Sequence, residues 1–338
     1  MTPTTTGCDC RLFDLIETLT QRQDSLSLTD CFIGQLRAHT SIDRVCIFEV
    51  YVADRELLPG SPRSVKGYLI REALGDISQL RQLSDLMEPP LIDLQPENNP
   101  CFSGKGKVVF PIPSKTGVTR LLSLQVKQLL TSDDWSLIVR LLEIYTHLVR
   151  IFDDKERDKL TGLLNRQIFE NHLVRILEYS RLSMSHSGRP SEGSNWMAVV
   201  DIDHFKRIND RFGHLYGDEV LLLLARLMTA HFRHTDLLFR LGGEEFVIIV
   251  VCTDAEGCHQ ALERFRLAVS QFAFPTVGQV TVSIGCVELH PHELPSTLFD
   301  QADQALYAAK QNGRDRLVFH PSQGSHYAAP EDGTVEIF

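Results

Sequence analysis

At about 150 residues per domain, 338 residues suffice for two domains, and 43% hydrophobic with 23% charged residues is the composition of folded rather than disordered chains. With 34 Lys and Arg against 44 Asp and Glu, the formal net charge is -10; no overall positive field draws in duplex nucleic acid or an anionic membrane, so a polyanionic ligand needs a local basic pocket. No apolar run reaches the ~18 to 20 residues of a membrane span, the N-terminus lacks a basic stretch before an apolar core, and the cysteines form no CxxC pair, which predicts a cytoplasmic chain with reduced thiols.

From Leu12 to about Tyr145 helices alternate with strands. DCFIGQLRAH has helical apolar spacing and DRVCIFEVYV is the β-branched, aromatic run of a buried strand. GYLIREAL, KVVFPIP and RLLSLQV read as further strands, the last two joined by the turn SKTGVT, and the Pro- and Asn-rich stretch from Glu88 to Pro100 reads as a long loop. The result is a sheet with flanking helices. Cys8, Cys10, Cys31, Cys46, Cys101 and His39 include metal- and haem-ligand types, but buried or exposed thiols are the plainer reading.

Ser132 and Asp133 mark a cap region for a long helix from about Trp135 to Lys159. Leu137, Leu141, Ile144, Leu148 and Ile151 recur as a heptad seam, which fits either an amphipathic helix on its own domain or a short coiled coil. We take the helix as the connector between domains. DKLTGLLNRQIFENHL then runs from loop into helix, and SMSHSGRPSEGSN is a surface loop. Next come the strand MAVVDID, the helix DEVLLLLARLMTAHF, the strands LLFRL and EFVIIVV, a helix near AEGCHQALERFRLAVSQF, the strand QVTVSIGCVEL and the helix PSTLFDQADQALYAAKQNG. The tail after His320 reads as loose. This order predicts an α/β layer with a mixed sheet.

Asp201, Ile202 and Asp203 close an apolar strand, at the rim where open α/β sheets bind ligands. A second acidic pair, Glu244 and Glu245, follows Gly242 and Gly243, read as the two residues of a hairpin turn that carries the carboxylates to the same sheet end. Carboxylate and carbonyl oxygens, completed by substrate phosphates, suit Mg²⁺. Lys206 follows the first pair; Lys310 and Arg314, four apart at a helix end, are placed to face one way and bind phosphate.

DIDHFKRINDRFGHLYGDEVL, RLGGEEF, DKLTGLLNR, TVSIG and ADQALYAAKQNGR together resemble the GGDEF family of diguanylate cyclases, over about Asp158 to Phe319. The resemblance implies an α/β (α+β) fold with a central mixed sheet surrounded by helices, nucleotidyl-cyclase or palm-like, that condenses two GTP into cyclic di-GMP and releases pyrophosphate. It implies Mg²⁺, with Mn²⁺ as a substitute, held by Asp201, Glu244 and the Ile202 carbonyl. Asn209 and Asp218 would meet the guanine edge, while the backbone at Phe205 and Lys206 with the Lys310 and Arg314 side chains would hold the triphosphate. Glu245 would assist deprotonation of the attacking 3′-hydroxyl; Asp203 and His214 read as structural. Arg233 and Asp236, in RHTD, match the family's product-inhibition site, completed by either Arg264 or Arg266. Where the family commonly reads GRN, this chain reads Gly313, Arg314, Asp315.

The first half resembles a GAF sensory domain, with PAS as the alternative, and no residue identifies its small ligand. The expected plan is a GAF-like domain over 12-134, a connector over 135-159, a GGDEF domain over 160-320 and a tail over 321-338. Each catalytic domain would bind one GTP, so a homodimer is implied, with no nucleic acid partner and no membrane span. A cyclic di-GMP receptor without activity is the alternative from another class; such receptors usually lose an acid of the signature, and Glu244 and Glu245 are both present.

Overall fold

A computed structural model describes residues 6–38, 41–52, 68–74, 81–82, 101–103, 106–113, 119–187, 194–233 and 235–321. His39, the loop from Glu88 to Pro100, the centre of the SKTGVT turn and the tail after Pro321 lie outside the described residues, as do the side chains of Cys8, Cys10 and Cys101. Cys31 and Cys46 are free thiols. The chain divides into two units, residues 1–156 and 157–338.

In the first unit, α1 (Thr6–Thr20) and α2 (Ser25–Arg37) precede β1 (Ile42–Val52), β2 (Tyr68–Glu72), β3 (Arg81–Gln82), β4 (Cys101–Ser103), β5 (Lys107–Ile112), β6 (Thr119–Val126) and α3 (Ser132–Lys155). The strands pair antiparallel in the order β3-β2-β1-β6-β5-β4. Alternation along the strands sends Val45, Ile47, Val108, Phe110, Leu122 and Leu124 into one core with Phe32 of α2 and Tyr145 of α3, whose rings stack at 4.4 Å. The α3 cap is Thr131, one residue before the expected region: its Oγ1 accepts from Asp134 N–H while Asp134 Oδ2 accepts from Thr131 N–H, a capping box.

α3 packs on its own unit. Ile138, Leu141, Tyr145, Val149 and Phe152 form the buried stripe, so only Leu141 of the expected seam lies in it; Leu137, Ile144 and Leu148 are half-buried and Ile151 is 60% exposed. The seam runs along the edge of the buried face, which is why both stripes show helical spacing. Buried polar groups tie the helix end down: Arg120 donates to Asp153 at 2.9 Å, and the Glu156 carboxylate accepts from Ser25 N–H at 2.5 Å and Oγ–H at 2.6 Å. Burial pushes the Glu156 carboxyl above its ordinary pKa, against the pull of those two bonds.

The second unit holds β7 (Leu164–Asn165), α4 (Arg166–Ser187), β8 (Ser194–Ile202), α5 (Phe205–Phe212), α6 (His214–His231), β9 (Leu237–Gly242), β10 (Glu245–Thr253), α7 (Ala255–Gln271), β11 (Val282–Glu288), α8 (Pro295–Gln311) and β12 (Leu317–Phe319). Its sheet order is β12-β11-β8-β10-β9-β7; β8 is antiparallel to β10 and β11, while the edge strands β7 and β12 pair parallel, so the sheet is mixed as expected. Ala198, Val200, Ile248 and Ile284 face the core that includes Val220 and Leu224 of α6 and Leu262 and Phe265 of α7. α8 packs on β11. Gly285 permits that approach, because a Cβ there would strike backbone atoms of Ala302 and Leu306. Of the expected surface loop, Ser183–Ser187 instead close α4 and Ser194 and Asn195 open β8, while residues 188–193 lie outside the described residues. Among the described residues, no helix is long and apolar enough to cross a membrane.

Candidate active site

The central strand β8 ends in Asp201 and Ile202, and the register pairs Asp201 with Glu245 on one side and Ser283 on the other. Asp201 is thereby 7% exposed at the sheet end. The β9–β10 turn differs from expectation: Gly242 pairs with Glu245, leaving Gly243 (φ 53°) and Glu244 as the turn residues, with an irregularity between Glu245 and Phe246. Glu244 thus stands at the tip. Arg240 fixes that tip through bonds from Nε and Nη2 to the Gly243 carbonyl at 3.1 and 2.8 Å, and pairs with Asp158 at 2.9 Å. Asp158 also accepts from Thr161 N–H and Oγ–H, so the DKLTG stretch braces the hairpin, a role the sequence reading missed.

Burial raises the Asp201 pKa, opposed by Lys310, whose Nζ lies 2.9 Å from Oδ2. Burial and the neighbouring Asp201 raise Glu244 as well, again opposed by Lys310. Asp201 thus disfavours the charge on Glu244, an effect that a cation beside the pair would relieve. Among the described residues no group of three or more His, Cys, Asp or Glu could hold a metal alone. Two carboxylates with the Ile202 carbonyl fit an ion that arrives with phosphate ligands, as Mg²⁺ does. Asp203 has another role: it accepts from Thr281 Oγ and Ser283 Oγ, both at 2.7 Å, and from Asp315 N–H at 3.1 Å.

α5 begins at Phe205 behind His204, whose φ of 59° is left-handed and whose side chain makes no capping bond. The N–H groups of Phe205 and Lys206 therefore stand at a helix N-terminus that lacks a side-chain cap. Lys206 is exposed. At the α5–α6 corner the Asn209 side chain lies over Gly217, the residue before Asp218. His214 is exposed in the first turn of α6. Lys310 is on α8, but Arg314 is not: the helix stops at Gln311, and Arg314 follows in a left-handed turn, near enough to Asp201 to favour its charge. The turn, rather than helical spacing, brings the two cations to one site.

Arg233 is exposed beyond α6, and buried Asp236 accepts from Arg233 N–H at 2.7 Å and Val251 N–H at 3.1 Å. Arg264 Nη2 donates to the His231 carbonyl at 2.9 Å, which keeps it beside that turn, whereas Arg266 is held by Glu263 and Asp315.

Residues 155–316 match the family described as "Diguanylate cyclase, GGDEF domain". The chain is 42% identical over 164 residues to the diguanylate cyclase DgcP of Pseudomonas aeruginosa, covering 47% of this chain and 23% of that protein. It is 37% identical over 161 residues to the diguanylate cyclase DgcM of Escherichia coli, covering 48% and 37% respectively. The chain therefore spans well under two thirds of either relative's length. Among solved structures, the coiled coil and GGDEF domain of DgcB from Caulobacter crescentus in complex with c-di-GMP aligns at 32% identity and a TM-score of 0.47, covering 56% of this chain and 96% of that one. Residues 155–316 thus carry a GGDEF domain.

Proposed function

We propose that the chain is a diguanylate cyclase, joining two GTP into cyclic di-GMP with release of two pyrophosphates. The observation that carries this reading is the match of residues 155–316 to the GGDEF domain, supported by Lys310 paired with Asp201 at the end of β8 and by Glu244 in the turn next to Asp201's partner Glu245. In this reading the Phe205 and Lys206 N–H groups, Lys310 and Arg314 hold the triphosphate, and Asn209 and Asp218 select guanine. The 3′-oxygen of one GTP attacks the α-phosphorus of the other, its P–O bond to pyrophosphate breaks, and the reciprocal attack closes the ring. Exposed Glu245 takes the 3′-hydroxyl proton. A divalent cation, Mg²⁺ or Mn²⁺, held by Asp201, Glu244 and the Ile202 carbonyl, would lower the charge on the phosphates.

One domain offers one guanine site, so two copies must face each other; the outer edge of the α3 seam supplies an apolar surface for that pairing. The first unit is read as the GAF-like sensor of a small ligand, and Arg233 with Arg264 as the site where product feeds back. The test is incubation of the full chain with GTP and Mg²⁺, with products resolved by mass. Cyclic di-GMP is expected from the parent and none above background from Glu244→Ala. No product from the parent would refute the assignment; near-parental turnover by the variant would remove Glu244 from the cation site.

A further inference from the structure

Beyond Gln311 the chain turns through Gly313, Arg314 and Asp315, with φ of 110°, 63° and 44°. Left-handed backbone suits glycine and is tolerated by aspartate, but arginine needs its neighbours to hold it there. Arg314 N–H donates to the Ala309 carbonyl at 3.0 Å, and Asp315 N–H to Asp203 Oδ2 at 3.1 Å. The third hold comes from α7: Arg266 Nη1 donates to Asp315 Oδ1 at 2.6 Å and to the Asp315 carbonyl at 3.1 Å. The same guanidinium donates to Glu263 at 2.8 Å, and it is 15% exposed.

The charges around this turn explain why a cation is needed. Asp315 stands next in the chain to the arginine assigned to the triphosphate, and its carboxylate is 40% exposed. Unpaired, that carboxylate would repel a triphosphate and compete with it for Arg314. Paired with Arg266, it instead anchors the turn that presents Arg314. Arg266 itself is engaged with Asp315 and Glu263, so it acts on the nucleotide through Arg314 rather than by contact.

We propose that Arg266 is a positioning residue for GTP: by neutralising and holding Asp315, it keeps Arg314 available to the triphosphate. This rests on the cyclase reading of the site. The test measures Mg-GTP affinity by calorimetry, together with KM and kcat, on the full chain and its variants. Arg266→Ala is expected to raise KM and Kd for GTP about fivefold, with kcat changed by less than about twofold. Arg266→Gln keeps a donor for Asp315 but not the charge, and should weaken binding as much as Ala does. Adding Asp315→Asn to Arg266→Ala removes the charge left uncompensated, and should restore affinity to within about twofold of Asp315→Asn alone. A purely structural role would leave the double variant as impaired as Arg266→Ala. Unaltered GTP affinity in Arg266→Ala, parental affinity in Arg266→Gln, or a defect that Asp315→Asn leaves unrepaired would each overturn the inference. A parent that binds no GTP would overturn the cyclase reading and this inference with it, whereas a parent that binds GTP as well as its Arg266 variants do would overturn this inference alone.

Discussion

Gly217 sits inside α6, where glycine costs about 1 kcal/mol relative to alanine. A methyl group at that position would collide with the Asn209 side-chain oxygen. Asn209 is at the end of a flexible side chain, so the fold can absorb Gly217→Ala by turning the amide away, and helix propensity favours the change. We therefore expect an equal or higher urea midpoint together with a KM for GTP raised about tenfold, the loss of one hydrogen bond to the base. Unchanged KM would mean that Asn209 does not read guanine. The sequence names Asn209 and Asp218 through motif resemblance, yet the glycine between them has no chemistry of its own and becomes legible only when α5 and α6 meet. Asp203 shows the opposite difficulty. In DID, two acids two residues apart look alike by type and spacing; the resemblance alone separates them in the sequence, and the partners supply the reason, since Asp201 faces Lys310 whereas Asp203 is occupied by Thr281, Ser283 and Asp315.

An apolar stripe on a helix says that something covers it, without saying what. In α3 the spacing of Leu137, Leu141, Ile144, Leu148 and Ile151 is visible in the sequence, but an equally regular stripe through Ile138, Tyr145, Val149 and Phe152 wins the core, because Phe32 and sheet residues of the same unit are there to meet it. The two stripes make different predictions. Val149→Asp places a carboxylate at a fully buried position and should unfold the first unit or cost it several kcal/mol, on the order of 3 or more. Ile151→Lys lies on the exposed edge, should change stability by no more than about 0.5 kcal/mol, and should weaken self-association and lower specific activity at limiting protein concentration. Sedimentation and activity both unchanged in Ile151→Lys would dissociate the seam from pairing. Besides the helices α1 and α5, the sequence reading misses short strands. The strands β7 and β12 are two and three residues long, too short to carry a period, and they exist because an edge of the sheet was open to pair with them. The long apolar strands β8 and β10 needed no such help.

Across the whole chain, motif order and strand alternation disclose a mixed sheet, but not its strand order, since pairing between distant segments leaves no local signature. The proposed feedback depends on such distant placement. Arg233 and Arg264 are far apart in sequence, and the bond from Arg264 to the His231 carbonyl brings the second arginine to the first, while Arg266, equally eligible by spacing, is committed to Asp315. Asp236 holds the turn through Arg233 N–H and Val251 N–H, so anion binding falls chiefly to the two guanidinium groups, which suit the phosphates and guanine faces of cyclic di-GMP. Among the described residues no bond or ion pair joins either arginine to Asp201 or Glu244, so in the proposed reading product bound there would leave the GTP site of its own domain open and act on how two domains meet. Inhibition should therefore lower the maximal rate without raising KM for GTP. Arg233→Ala should keep parental activity without product and require about tenfold more cyclic di-GMP for half-inhibition. A parent insensitive to cyclic di-GMP, competitive kinetics against GTP, or a variant inhibited as strongly as the parent would each show that feedback does not run through Arg233.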